Sequence, residues 1–319
     1  MASVRGVSGL ALRLAVTIGL LGVLLFVVAD PREIGTLLAD AAPLPLIAAV
    51  ALCALDRVTM AYKWWLLLRA RRLSVSLWVT IRSYFASSLY GLMLPVTVGA
   101  DAVRILALRH LGLLDVTASI VIERGLGVIA MGSVALLSCV LLATTVTTYA
   151  VQSLTTWLVV ATTVTGGLFV VSLLAADRVA TRWVNAPPKV RQAAEAYGTY
   201  RHAPGVLAVF YSLSVLESLL SAVIAYVVAI ALGIPLPMYL LLATVPIALA
   251  SARLPVSLGG FGVQEASFVF LAGLVEVPNT HAFAIFLVVD AAMLIALLPS
   301  VLDGSMLTLR HQAAETRVL

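Results

Sequence analysis

Leu94-Pro95-Val96-Thr97-Val98-Gly99-Ala100-Asp101-Ala102-Val103-Arg104 interrupts one apolar run of the 319-residue chain, and Leu254-Pro255-Val256-Ser257-Leu258-Gly259-Gly260-Phe261-Gly262-Val263-Gln264-Glu265 interrupts another. Proline removes a backbone donor and glycine permits conformations closed to other residues, so each stretch breaks a helix and leaves peptide groups that need partners. In a bilayer, such backbone survives only where it is buried in protein or lines a wet cavity. A matched pair of breaks therefore points to a polar site inside a membrane protein. Pro95 and Pro255, Val96 and Val256, Thr97 and Ser257, Gly99 and Gly259, and Val103 and Val263 correspond at one constant offset. The shared proline, hydroxyl and glycine indicate an internal duplication, the kind of symmetry that transporters use.

Composition agrees with that setting. The chain is 62% hydrophobic and 11% charged, with a mean hydropathy of +1.10. Soluble domains carry about 25% charged residues, so the deficit places this chain in lipid. Gly125 to Ala176 contains no Asp, Glu, Lys or Arg, and Gly205 to Ala252 contains only Glu217. Each stretch is long enough for two spans of about 20 residues. The net charge of +5 comes from short basic clusters between apolar runs, which fits a positive-inside bias and not nucleic-acid binding. Cys53 and Cys139 lie inside apolar runs without metal or disulfide spacing and read as small core residues.

These features predict an all-α polytopic membrane protein, a single integral domain over 1–319 with about eight transmembrane helices plus a re-entrant helical hairpin. Leu10 to Ala29 is the first span, uncleaved, with Arg5 and Arg13 holding the N-terminus in the cytoplasm. An acidic external loop follows, with Asp30, Arg32, Glu33 and Asp40. The second span begins at Pro43 or Pro45 and ends near Leu68 before Arg69, Arg71 and Arg72; within it, Lys63 beside Trp64 and Trp65 reads as an interfacial anchor, its ammonium snorkelling to headgroups. Residues 77 to 112 have basic flanks at both ends and so read as a hairpin from the cytoplasmic side, turning near Pro95 to Gly99. A short helix is expected from about Asp101, where Asp101 suits the helix start and Arg104 lies one turn on.

Val116 to Leu142 and Ser153 to Leu174 are the next spans, joined by an external turn, and the hydrophilic segment 177–203 reads as a cytoplasmic surface helix. Pro204 to Leu232 then crosses outward with Glu217 near its middle. Met238 to Leu254, Phe261 to Val275 and His281 to Leu302 complete the crossings, leaving 303–319 as a short cytoplasmic tail. If the second broken segment is re-entrant from outside, these last crossings shift and the C-terminus changes side. The expected location is the cell (inner, cytoplasmic) membrane.

Asp56, Arg57, Glu123, Arg124, Glu217, Glu265 and Asp290 fall within spans. Ionisable groups there face a bundle interior or a wet cavity, where they either pair for assembly or line a substrate path. Both signs are present, which suits a lipid headgroup: arginine offers a planar fork to phosphate, and carboxylates accept an ammonium. Gly259-Gly260 ahead of the helix carrying Glu265 would expose backbone donors to an anion, or else allow close helix contact. No nucleotide-binding loop occurs, and His110, His202, His281 and His311 show no metal-ligand spacing.

At these motifs the sequence resembles the lysylphosphatidylglycerol synthase transmembrane family, the flippase-like region of bacterial multiple peptide resistance factors and their stand-alone relatives. The matching residues are Leu94-Pro95 with Gly99, Asp101 and Arg104; Glu123-Arg124 with Gly127; and Pro255-Val256-Ser257-Leu258-Gly259-Gly260-Phe261-Gly262 with Glu265. Ala100 stands where the family usually has a second glycine. The resemblance implies translocation of a lipid between leaflets: a phospholipid, an aminoacylated lipid, a glycolipid or a polyprenyl-phosphate carrier. The soluble aminoacyl-transferring domain of the best-known relatives has no counterpart before Leu319, so a transporter without its own enzyme activity is expected. The headgroup path is expected along Arg57, Pro95, Gly99, Asp101, Arg104, Glu123, Arg124, Glu217, Pro255, Ser257, Gly259, Gly260, Gly262 and Glu265, with no cofactor and no metal. The expected partners are the membrane lipid itself and a separate lipid-synthesising enzyme, with no nucleic acid. A membrane-embedded headgroup transferase and a non-catalytic scaffold of a cell-envelope lipid synthase are the alternatives.

Overall fold

The computed structural model describes residues 2–93, 99–143, 149–182, 187–252 and 256–302. Among the described residues every regular element is helical. The helices are α1 (Ala2–Val23, closing in a wider π-type turn over Leu24–Val28), α2 (Pro31–Ala39), α3 (Pro43–Ala70), α4 (Leu77–Met93), α5 (Gly99–Leu108), α6 (Leu113–Ala143) and α7 (Tyr149–Arg182). They continue with α8 (Pro188–Gly198), α9 (Pro204–Ala231), α10 (Met238–Ser251), α11 (Val263–Gly273), α12 (Asn279–Leu297) and α13 (Pro299–Leu302). The chain is an all-α polytopic membrane protein. Among the described residues five helices, α3, α6, α7, α9 and α12, are long and apolar enough to cross a bilayer, six if the bent pair of α1 and α2 is one span.

Two faces of the bundle are fixed by contacts between chain-distant residues. On one face, which carries Asp30, Glu33 and Asp40, the Ala42 N–H donates to the Ala231 carbonyl at 2.8 Å and the Asp30 N–H donates to Thr280 Oγ1 at 3.1 Å. The ends of α1 and α9 and the starts of α3 and α12 therefore share this acidic face. The opposite, arginine face holds the end of α3 and the start of α6, joined by the Arg71–Asp115 ion pair. Tyr200 there donates its hydroxyl to the Leu67 carbonyl at 3.0 Å, and burial pushes that phenol's pKa up. This bond pins the segment after α8 to the bundle.

The acidic segment after α1 is mostly helical and not a loop. Asp30 caps α2 by accepting from the Arg32 N–H at 2.8 Å, Pro31 fills the first helical position, and Glu33 sits in the first turn. These are strong start signals in a segment too short and polar to span, so α2 turns 90° away from α1. The hydrophilic segment 177–203 divides. Its first residues extend α7 to Arg182, and α8 starts separately at Pro188.

The first broken segment lies on a hairpin. α4 starts and α5 ends at the arginine face, and α5 has 10 residues, about 15 Å at 1.5 Å per residue, half a bilayer core. Pro95 and its neighbours 94–98 lie outside the described residues. The second segment forms a counterpart. α10 and α11 have 14 and 11 residues, too few to cross about 30 Å each. Ser251, ending α10, donates to Ser267 of α11 at 2.7 Å, while Ala243 and Ile247 pack on Leu271, Leu274 and Val275. The two helices are thus antiparallel and return to the acidic face, where α9 ends and α12 begins. Two of the eight expected crossings are accordingly the arms of a re-entrant hairpin. The expectation that re-entrance moves the C-terminus to the other side is corrected: an in-and-out excursion leaves the chain on the same face as two full crossings would, so α12 still starts at the acidic face beside Asp30 and runs toward the arginine face.

Both hairpins reach mid-depth. Leu258 donates its N–H to Thr17 Oγ1 at 2.9 Å, and Thr17 lies about 17 Å along the helix from Val28 at the acidic end. Asp101, at the start of α5, meets Arg124, about 16 Å from the start of α6 at the arginine face. Asp101 and Gly262 therefore sit at the starts of short helices that belong to hairpins entering from opposite faces. Phe268 of α11 stacks on Phe286 of α12 with ring centroids 4.4 Å apart, anchoring the second hairpin in the largest core cluster.

Candidate functional site

Glycine at the start of α5 and an acid in its first turn set the chain into a helix just after the break. Helical spacing then places Asp101 and Arg104 on one face, where Arg104 Nη2 donates to Asp101 Oδ1 at 2.5 Å. Arg104 Nη1 donates to Glu123 Oε2 on α6 at 2.6 Å. In return, Arg124 Nε and Nη2 donate to the two Asp101 oxygens at 3.0 and 2.7 Å. Each helix thus gives the other one cation and one carboxylate across the α5–α6 contact. Arg104 has only 1% of its surface exposed, and its guanidinium lies 4.8 Å from the ring centres of both Trp64 and Tyr84. Aromatic faces attract a guanidinium and hold it without hydration, which makes this depth tolerable. The Tyr84 hydroxyl donates to Glu123 at 3.2 Å, and Arg104 Nε alone has no partner.

Arg124 differs from its partners because 41% of its side chain is exposed. It follows Glu123 by one residue and so points about 100° away around α6. There it shares a stripe with Val121 and Val128, 49% and 41% exposed. The clasp therefore has a sealed member, Arg104, and an open one, Arg124.

A second polar group lies between α3 and α9. Asp56 and Glu217 are each at the middle of their 28-residue helices. Arg57 donates to Asp56 through Nε and Nη2 at 2.9 and 2.5 Å, and it lies within electrostatic reach of Tyr84 and Glu217. Lys63 pairs with Glu217, donates to Ser214 Oγ at 3.0 Å and lies over the Phe210 ring. The interfacial-anchor reading of Lys63-Trp64-Trp65 is thereby corrected. Lys63 and Trp64 are buried, because two turns from the helix end α9 supplies a carboxylate nearer than any headgroup.

The third group belongs to the second hairpin. Gly259, Gly260 and Gly262 have φ of +61°, +88° and +85°, a region that glycine alone adopts without penalty. At Gly260 a Cβ would lie 2.6 Å from Ala252 Cβ, and at Gly262 2.7 Å from Leu20 Cβ. The turn is therefore both left-handed and tightly wedged. Its donors are already used: Gly262 N–H donates to Glu265 Oε2 at 2.5 Å, while Val263 and Gln264 N–H donate to the Gly260 carbonyl. The Glu265 carboxylate occupies the place that an anionic headgroup would take at this helix start. Gln264 Nε2 donates to Asp290 Oδ1 at 2.7 Å, and the Asp290 carboxyl is in contact with Glu265. Ser257 is buried with its hydroxyl unpartnered, and Pro255 lies outside the described residues.

The structure brings Asp101, Arg104, Glu123 and Arg124 into one site, with Gly99 at the start of the same helix as Asp101, and Tyr84, which donates to Glu123, lies within electrostatic range of Arg57. Ser257, Gly259, Gly260, Gly262 and Glu265 line the other hairpin. Cys53 and Asp56 on α3 lie between the groups, with Asp290 in electrostatic range of Cys53. Sequence reasoning placed Lys63 and Trp64 at the membrane interface and gave Tyr84 and Gln264 no role in the site. Their partners Glu217, Ser119, Glu123 and Asp290 lie on other helices, so only packing reveals them. Among the described residues, no three His, Cys, Asp or Glu side chains are grouped as a metal site would need.

The model of the family described as the lysylphosphatidylglycerol synthase TM region matches residues 10–300. No curated protein matches the chain.

Proposed function

Since the chain belongs to the lysylphosphatidylglycerol synthase transmembrane family, we propose that it translocates a lipid between leaflets, passing the headgroup through the polar interior between its two half-depth hairpins. The observation that carries this reading is that those hairpins enter from opposite faces and both reach mid-depth, Asp101 at Arg124 and Leu258 at Thr17. The short arms α5 and α11, 10 and 11 residues long, each cover about half of the bilayer core, and the paired charges of α3, α5, α6 and α9 lie at a similar depth. A structural ion pair needs only two partners. Here Asp56, Asp101, Glu123 and Glu217 are matched by Arg57, Arg104, Arg124 and Lys63 in one region of the interior. Such a set can exchange partners with an incoming phosphate or ammonium without exposing a bare charge to lipid.

Orientation follows from charge. The arginine face carries Arg69, Arg71, Arg72, Lys189 and Arg191, whereas the acidic face carries Asp30, Glu33, Asp40 and Glu276. By the positive-inside bias the arginine face is cytoplasmic, the location is the cytoplasmic membrane, and the N-terminus is inside. The protein acts in this reading as a transporter and not as an enzyme, on a lipid supplied by a separate synthase.

The test is exchange of headgroup-labelled lipids in liposomes of purified protein, with Glu265→Gln and Arg124→Gln as matched variants. Faster exchange of one lipid class, lost in folded variants, is the expected result. Correctly inserted protein that leaves every lipid at the protein-free rate overturns the reading and favours the scaffold alternative.

A further inference from the structure

Asp101 Oδ1 is shared. It accepts from Arg104 Nη2 at 2.5 Å and from Arg124 Nη2 at 2.7 Å, while Asp101 Oδ2 takes Arg124 Nε at 3.0 Å. To Arg124, then, the Asp101 carboxylate presents two oxygens in the planar, two-pronged geometry in which guanidinium groups also hold a phosphodiester. The two arginines are not equivalent in access. Arg104 is sealed between Trp64 and Tyr84, and Arg124 stands on the open stripe of α6 between Val121 and Val128. That stripe is apolar on either side of the guanidinium, so what can lie along it is an amphiphile with an anionic group.

Resting on the translocation reading above, we propose that Asp101 is a built-in substitute for a lipid phosphate: a phosphodiester arriving along α6 takes Arg124 from Asp101 and thereby unlatches α5 from α6 on that side. The exchange leaves no charge stranded. Asp101 keeps Arg104, and Arg104 keeps Glu123 and still has Nε without an acceptor, so Asp101 can turn its freed oxygen toward a donor already present. A carboxylate that had to abandon its only partner at this depth would resist release. Because the step needs an anionic oxygen pair at Arg124, it selects phosphate-bearing lipids over uncharged glycolipids. The unlatched element is a half-helix at the hairpin tip, the part of the fold that must move for a headgroup to pass.

The experiment uses full-length protein in nanodiscs of an uncharged galactosyl diacylglycerol with rising phosphatidylglycerol, followed by lipid binding and by amide hydrogen exchange over residues 99–108. In the natural protein, exchange in α5 should accelerate as phosphatidylglycerol is added. Asp101→Asn should raise phosphatidylglycerol affinity about tenfold, the ratio expected when one charge-assisted competitor is removed, and its α5 should exchange fast without the lipid. Arg124→Gln should abolish both responses. Unchanged or weaker binding in a folded Asp101→Asn protein overturns the proposal, as does α5 exchange that is flat or slowed in the natural protein; the latter needs no variant. Glycerol 3-phosphate in solution should not compete, and competition by it at millimolar concentration would overturn the lipid source. Both readouts are equilibrium measurements that do not require lipid to cross. Silence in the translocation assay therefore leaves this test intact, and a negative result here leaves translocation standing.

Discussion

Arg104 holds one full charge behind two aromatic rings with 1% of its surface exposed, so the loss of a carboxylate beside it is felt almost undiluted. Glu123→Gln removes one of its two anionic partners and should destabilise the protein by about 3 kcal/mol, the lower end for breaking a buried pair because Asp101 remains. Arg124→Gln, at a side chain 41% exposed, should cost about 1 kcal/mol or less. Denaturant titration in detergent orders the two, and equal losses would mean that Arg104 draws little from Glu123. The Lys63–Glu217 pair offers a cleaner cycle. Lys63→Met and Glu217→Gln should each cost about 3 kcal/mol, and the double variant should fall short of their sum by at least about 1 kcal/mol. Strict additivity would show that the pair is not coupled. At this scale the sequence is legible where partners lie one helical turn apart, as with Asp101 and Arg104. It is silent where the partner is 154 positions away, as with Lys63 and Glu217, since helical periodicity orients a side chain without saying what faces it.

Half-helices behave differently from spans because their inner ends must be satisfied at mid-depth. In the second hairpin this is done by a left-handed glycine turn and by Glu265 reaching back to the Gly262 N–H. Gly262→Ala therefore faces both a positive φ and the Leu20 side chain, and it should destabilise the protein by about 1–3 kcal/mol and loosen α11 from α1, readable as faster amide exchange over 263–273. An Ala variant as stable as the natural protein would remove the constraint argued here. Re-entrance itself is checked by thiol labelling. A cysteine replacing Val256 should react far more slowly with impermeant maleimide, from either side, than one replacing Glu276, whereas two full crossings would make the break reactive at the arginine face. Both breaks could be read from proline and glycine, and the first hairpin from basic residues on both flanks. The second could not, because the residues around α10 and α11 carry too little charge to assign sides, and only helix length and the Thr17 contact decide it.

At the scale of the bundle, five long apolar helices and the bent α1–α2 pair accompany two opposed hairpins among the described residues, and reporter fusions should place the N-terminus and the α7–α8 linker on one side with the α9–α10 turn on the other. Opposite placement of the first two would refute the arrangement. The central clasp and the α3–α9 pairs balance: four carboxylates face four cations. That balance has an electrical consequence. A neutral set of side chains can shift within the membrane with no net work against the transmembrane voltage, so the empty protein should rearrange at the same rate in polarised and unpolarised vesicles. A zwitterionic headgroup would preserve this indifference. An anionic one would add a single uncompensated charge to the moving unit, coupling its passage to the field by about 2.3 kcal/mol per 100 mV, and the sign of that dependence would turn a membrane potential into a direction of transport.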